Sequence, residues 1–419
     1  MTQTIQVADV PGLLRPGMTV LIPGCGGESL LFREALIANP EAARGVTFIG
    51  VLIPGVNRVD YAGLHDEARL RAFFLTPDIA KSYADGKVEF LPVHYSAVTK
   101  FLQNEVEIDL ALIQVAPAAQ GRHSVGIAAD FIPAVLDNAK AIVAHVNPEM
   151  PAMADGPTIE TARLDYIVEE AAALIEYDLG RLSEPLLDLG RNVASLIGDG
   201  DTIEIGLGKI QAAVLGPLTD RKDLRLHAGM ICDPLTGLLA SGAFAKRSKA
   251  RPPVTTGVAV GSRGFYDFVS QSSDITFRPV THTHDAGVLS EIENLVAINS
   301  SIEIDLLGQA NAEMIGGRQV SSAGGLVDFM RGAHRSRGGR AVLALISATS
   351  DGKTSRIVPN FATGTAVSCA RADIDFVVTE HGIADLRGTG VRARAEALIQ
   401  IAAPAFRAEL EAAAKALKG

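Results

Sequence analysis

The sequence predicts an α/β fold in two domains, each built on a parallel or mixed sheet covered on both faces. Short β-branched or aliphatic runs alternate with Ala/Leu-rich helical stretches along most of the chain. Those runs are continuously apolar rather than alternating, the pattern of strands buried on both faces. The 419 residues are too many for one ordinary domain; at about 100–200 residues per domain they suffice for two.

Residues 18–22 (MTVLI) read as the first strand, followed by the turn PGCGGES and a helical pattern over 30–37. Residues 46–51, 88–91, 110–115 and 141–146 read as further buried strands. The stretch 148–161 (PEMPAMADGPTIET) is Pro-rich and irregular and reads as an interdomain crossing. A helix over 184–196 then opens a second strand series: Thr202–Ile205, 224–227, 254–260, 295–298, 341–346 and 376–378. Residues 392–417 read as a terminal Ala/Glu/Leu-rich helix. The expected domains are 1–180 and 181–419, each with α/β layers.

Composition excludes several classes. With 47% hydrophobic and 21% charged residues the chain is not intrinsically disordered. Its 38 basic against 48 acidic residues give a net charge of −10, and no basic stripe marks a nucleic-acid binder. The local stretch 246–251 (KRSKAR) suits a solvated loop or a phosphate contact. Cys25, Cys232 and Cys369 lie far apart, which fits neither a disulfide framework nor a zinc cluster. The first residues, MTQTIQVADVPGLLRPG, lack a basic segment followed by an apolar one, and no run of roughly 18 apolar residues occurs. A cytoplasmic protein with no membrane partner is expected.

Three loops carry candidate chemistry. In 202–215 (TIEIGLGKIQAAVL) a strand enters Gly206-Leu207-Gly208 and then a helix. Glycines there let a ligand approach the backbone, and free N–H groups at a helix start attract an anion. The same arrangement also serves as a plain tight turn, and Gln211 stands where a dinucleotide fingerprint needs its third glycine. In 320–333 (VSSAGGLVDFMRGA) Gly324 and Gly325 precede a helix; in 377–388 (VVTEHGIADLRG) a loop holds Glu380, His381, Asp385 and Arg387. All three are candidates for one cleft at the carboxyl ends of sheet strands.

Six segments in order, GLGKIQAAVLGPL, INSSIEIDLLGQ (298–309), SSAGGLVDFMRGA, SRIVPNF (355–361), VVTEHGIADLRG and ALIQIAAPAFRAEL (397–410), resemble the acetyl-CoA hydrolase/transferase family, in its 4-hydroxybutyrate and succinyl-CoA:acetate CoA-transferase branch. LIPGCGGESLLFREAL and AHVNPEMPAM match that family's first domain more loosely. The resemblance implies two similar open, mostly parallel α/β domains. It also implies coenzyme A as substrate thioester and a small carboxylic acid as second substrate, with no metal and no nucleotide redox cofactor. A homodimer or higher homo-oligomer is expected. The implied chemistry is covalent: a glutamate attacks the acyl-CoA and carries CoA as a thioester. Gly206, Leu207, Gly208, Lys209, Ile210, Gly324 and Gly325 would meet the ligand through the backbone, and Lys353 and Arg356 would face its phosphates.

The chain departs from that pattern at one position. In LHAGMICD (226–233), His227, Met230 and Asp233 match, but Gly229 stands where the resemblance expects the glutamate. Three readings follow: CoA transfer with a displaced nucleophile, for which Glu28 in the PGCGGES loop is the candidate; thioester hydrolysis with His227, His284 or Asp233 as base; or CoA binding without catalysis. The resemblance places His284, where relatives carry Asn, and the N–H of Gly325 beside the developing oxyanion. Glu28 also suits a helix-start carboxylate, and Glu303 a structural one. His282 and His284 on one strand face lack a third metal ligand, and His123-Ser124 lacks an acid partner.

Overall fold

The computed structural model describes residues 2–248 and 251–415. Lys249 and Ala250 of the basic stretch, and the end of the expected terminal helix, therefore lie outside the described residues. The chain forms two compact units: Met1–Asp178 with Thr255–Thr283, and Leu179–Val254 with His284–Gly419.

The first unit holds an eight-stranded sheet in the order Gln3–Thr4, Tyr166–Glu169, Ala139–Val146, Ile108–Val115, Thr19–Leu21, Thr47–Gly50, Arg69–Ala72 and Val88–Phe90. Every pairing is parallel. The central strands are almost wholly buried, as their continuous apolar sequence requires. From Thr19–Leu21 the chain first builds outward through Thr47–Gly50, then returns to Ile108–Val115 on the other side. That reversal makes a topological switch point at the carboxyl end of Thr19–Leu21, and PGCGGES occupies it. The helix that follows, Leu30–Ala38, is capped by Ser29, whose Oγ accepts from Phe32 N.

The Pro-rich stretch is not the crossing between units. Thr158–Glu160 pairs antiparallel with Arg122–Ser124, and Tyr166–Glu169 then joins the first sheet beside Ala139–Val146. The prolines and glycines there serve turns inside the first unit.

In the second unit Arg225–Ile231, Thr202–Ile205, Leu295–Ser300, Arg340–Ala344 and Phe376–Thr379 lie side by side and parallel, with Gly382–Asp385 antiparallel at the edge. Its switch point lies between Thr202–Ile205 and Leu295–Ser300. Helix Glu184–Ala194 carries Gly190 where a Cβ would fall 2.3 Å from the carbonyl oxygen of Ala213, so only glycine lets it approach helix Lys209–Leu215. Helix Leu326–Arg335 packs Leu326, Val327, Phe329, Met330 and Ala333 into the core formed with Leu343 and Val377.

Two expected elements take another form. The terminal helix is two helices, Val391–Gln400 and Arg407–Ala414, because Pro404 cannot continue the first. Val280–Thr283 is a helical turn rather than a strand, so residues 282 and 284 do not share a strand face. No helix among the described residues is long and apolar enough to cross a membrane.

Candidate functional site

In the second unit the register puts several loops along one edge. Ile205 pairs with Ile298, Ser300 with Ala344, and Ala344 with Val378, so the parallel strands end together. Residues 206–208, 301–302, 345–347 and 380–381 follow from those ends. Helix Leu326–Arg335 returns the chain to the start of Arg340–Ala344, so its own start, at Gly324-Gly325, faces the same carboxyl edge.

Gly206, Leu207 and Gly208 form the turn after Thr202–Ile205; all three are partly exposed, Lys209 is exposed and Ile210 is half-buried. Gly208 has φ +138°, a conformation only glycine adopts without strain. Buried Gln211 reaches back over the turn, with its Oε1 2.8 Å from where a Cβ on Gly208 would lie, and its Nε2 donates to Ser300 Oγ at 3.3 Å. Gln211 therefore ties the turn to the neighbouring strand across the switch point.

Glu204, one residue before the strand ends, escapes a reading based on glycine loops. It is buried, its Oε2 accepts from Asn299 Nδ2 at 2.7 Å, and burial raises its pKa to about 8. The available sequence signal is an acid at the end of an otherwise apolar strand.

Gly229, His284 and Gly325 meet. A Cβ on Gly229 would lie 2.6 Å from His284 Cε1 and 3.0 Å from Nε2; a Cβ on Gly325 would lie 2.6 Å from His284 Nε2. Phe329 closes another side, its ring centroid 4.6 Å from that of the imidazole. His284 is 4% exposed; burial, and then the nearby His227, lower its pKa to about 3, so the imidazole is uncharged at neutral pH. His227 is buried on the same strand as Gly229, and half-buried Asp233 follows the strand. Gly324 has φ +56°, which turns the chain into the helix behind Gly325.

Other sequence candidates have structural partners. Glu303 Oε1 accepts from Asn311 Nδ2 at 3.0 Å across an antiparallel pair, and Arg356 donates to the carbonyl of Ile302 at 2.9 Å. Lys353 stands on an exposed turn, where its N–H donates to Asp351 at 3.1 Å. Glu380 accepts from the N–H and hydroxyl of Ser347 at 2.9 and 2.6 Å, while Arg387 pairs with Asp385 at 2.8 Å and covers the Phe376 ring. Asp285 caps helix Ala286–Glu291.

In the first unit Glu28 is 1% exposed, and both carboxylate oxygens are engaged: Tyr61 donates to Oε1 at 2.6 Å and Asn57 Nδ2 to Oε2 at 2.7 Å. Burial raises its pKa against those two bonds. Asn57 also accepts from the N–H groups of Cys25 and Ile53, both at 2.9 Å, and so ties the PGCGGES turn to the loop after Thr47–Gly50. His123 bonds the Ala116 carbonyl at 2.8 Å, and Ser124 Oγ accepts from Gly126 and Met153, each at 3.1 Å.

Known proteins match this layout along its length. The acetyl-CoA hydrolase/transferase N-terminal domain matches residues 3–176, and the C-terminal domain of the same name matches residues 261–414. The 4-hydroxybutyrate coenzyme A transferase of Clostridium kluyveri is 35% identical over 388 residues, 92% of this chain and 90% of that protein. The chain belongs to the acetyl-CoA hydrolase/transferase family. Within that family, the succinyl-CoA:cyclohexane-1-carboxylate CoA transferase of Geobacter metallireducens is 30% identical over 413 residues, 97% of this chain and 94% of that one. The crystal structure of RipA from Yersinia pestis superposes with a TM-score of 0.91 at 27% identity, covering 99% of this chain and 97% of that one. The open α/β architecture expected from the sequence is that of the family.

Proposed function

We propose that the protein acts on coenzyme A thioesters and moves CoA from an acyl-CoA to a small carboxylic acid. The observation that carries this reading is the convergence of Gly229 and Gly325 on one buried imidazole, at the carboxyl edge that also bears the Gly206–Gly208 turn. Parallel sheets bind ligands at such an edge, near the switch point. The backbone of residues 206–210 and 324–325 would meet the CoA, and His227, Gly229, His284 and Gly325 would border the thioester carbonyl. The names of the two CoA transferases similar along nearly the whole chain support the same chemistry. In relatives the position of Gly229 is read as the glutamate that carries CoA; here it has no side chain.

Thioester hydrolysis is the second reading, favoured by a site edge that presents imidazole where a carboxylate is expected. Pure protein is incubated with acetyl-, butyryl-, succinyl- and aromatic acyl-CoAs, with and without free carboxylates, while free thiol and new thioester are followed. New thioester only with an acceptor supports transfer, and thiol release without one supports hydrolysis. Bound CoA with no turnover across the panel refutes both and leaves a binding protein.

A further inference from the structure

Two separate segments, the strand Arg225–Ile231 and the Gly324-Gly325 turn, leave out their side chains at one place, and His284 fills it. Carbon atoms pack at about 3.5–4.0 Å, whereas a Cβ on either glycine would stand 2.6 Å from the imidazole. Both Cβ positions fall against the Nε2 end of the same ring, and Phe329 flanks it. The side chains these glycines face are therefore an imidazole and a phenyl ring, neither of which is a carboxylate able to hold CoA. The displaced candidate, Glu28, has both oxygens bonded inside the first unit.

We infer that His284 fixes residue 229 as glycine, and that the acceptor acid attacks the thioester directly, with no enzyme side chain carrying CoA. The inference rests on the reading of this edge as the CoA-thioester site. In the direct route a carboxylate oxygen of the acceptor bonds to the thioester carbonyl carbon, the C–S bond breaks and CoA leaves as thiolate. The thiolate then adds to the acceptor's carbonyl in the mixed anhydride and expels the donor carboxylate. No proton is gained or lost, so an uncharged imidazole suffices as a wall. His284 is on this account a positioning and specificity-determining residue.

Gly229→Glu, His284→Ala and the double variant test it, with Gly229→Ala made alone and with His284→Ala in case the glutamate variants fold poorly. Melting temperature is measured, and intact mass is recorded after incubation with acetyl-CoA and butyryl-CoA. The single Gly229 variants are expected to melt lower, and His284→Ala to restore most of that loss. Gly229→Glu alone takes up no CoA, whereas the double variant takes up one CoA per chain on the peptide holding residue 229, discharged by acetate. The inference is overturned if His284→Ala restores nothing, if Gly229→Glu alone takes up CoA as readily as the double variant, or if the double variant takes up none while the native protein turns acyl-CoA over. Native protein that neither binds nor turns over any thioester removes the functional reading instead, and the melting comparison still decides whether His284 excludes a side chain at 229.

Discussion

Glu28→Gln and Glu28→Ala separate a nucleophile from a structural carboxylate. Both oxygens of Glu28 accept short bonds inside the first unit, from Tyr61 at 2.6 Å and Asn57 at 2.7 Å. Alanine would orphan two buried donors and leave a cavity, for a loss of about 2–5 kcal/mol. At roughly 2–4 °C per kcal/mol for a unit of this size, the first unit's transition falls by roughly 4–20 °C. Glutamine keeps the shape; its oxygen accepts from Asn57, and the Tyr61 hydroxyl can turn to accept from its amide, so a loss of about 0–2 kcal/mol is expected. The assay pairs calorimetric melting with acyl-CoA turnover per folded molecule. On the structural account both variants keep native turnover below their melting points. A Glu28→Gln protein that melts like the native one but has lost transfer would refute the reasoning and make Glu28 the nucleophile.

Two further outcomes are expected. Gly325→Ala pushes a methyl against His284 Nε2 and leaves 3.3 Å to Phe329; overpacking of this kind costs about 1–3 kcal/mol, so the variant melts lower and loses acyl-CoA turnover, and native behaviour in both measurements would contradict the geometry. Asp130 is buried with Tyr95 donating at 2.9 Å, and burial raises its pKa from 3.8 to about 7. The folded state then keeps a proton that the unfolded chain releases between about pH 4 and pH 7, so this group's stabilisation is full at acid pH and lost as pH rises through 7. Asp130→Asn removes that titration, and its melting temperature relative to the native protein should rise from pH 5 to pH 8, by an amount worth at most about 4 kcal/mol; parallel pH profiles for the two proteins would contradict it.

The buried strands were legible because parallel strands covered on both faces are written as unbroken apolar runs. Thr202–Ile205 has the bounds its sequence predicts, and Phe376–Thr379 differs by one residue. Two strands without an unbroken apolar run were not legible: Arg69–Ala72 (RLRA) alternates although it lies between Thr47–Gly50 and Val88–Phe90, and Gly382–Asp385, at the edge of its sheet, presents half its residues to solvent. Nothing in residues 255–283 marks them as packing with the first unit, since their apolar runs suit either core. Of the site, the glycine turns could be read from type and position, because positive φ at Gly208 and Gly324 demands that residue. The reason for Gly229 could not. Its φ is ordinary, and what forbids a side chain is an imidazole distant in sequence, visible only once the strand register and the 324–325 turn are known. Asn299 on Glu204 is hidden for the same reason: the pair is made by the neighbouring strands at the switch point.

The most direct test of the central claim is the intact mass of the native protein, quenched in acid during incubation with acetyl-CoA, before and after a carboxylate acceptor is added. Direct attack predicts the unmodified mass at every time point while thioester is exchanged. A native chain heavier by one CoA, discharged when the acceptor is added, would contradict the account and place the covalent carrier on a residue of this protein.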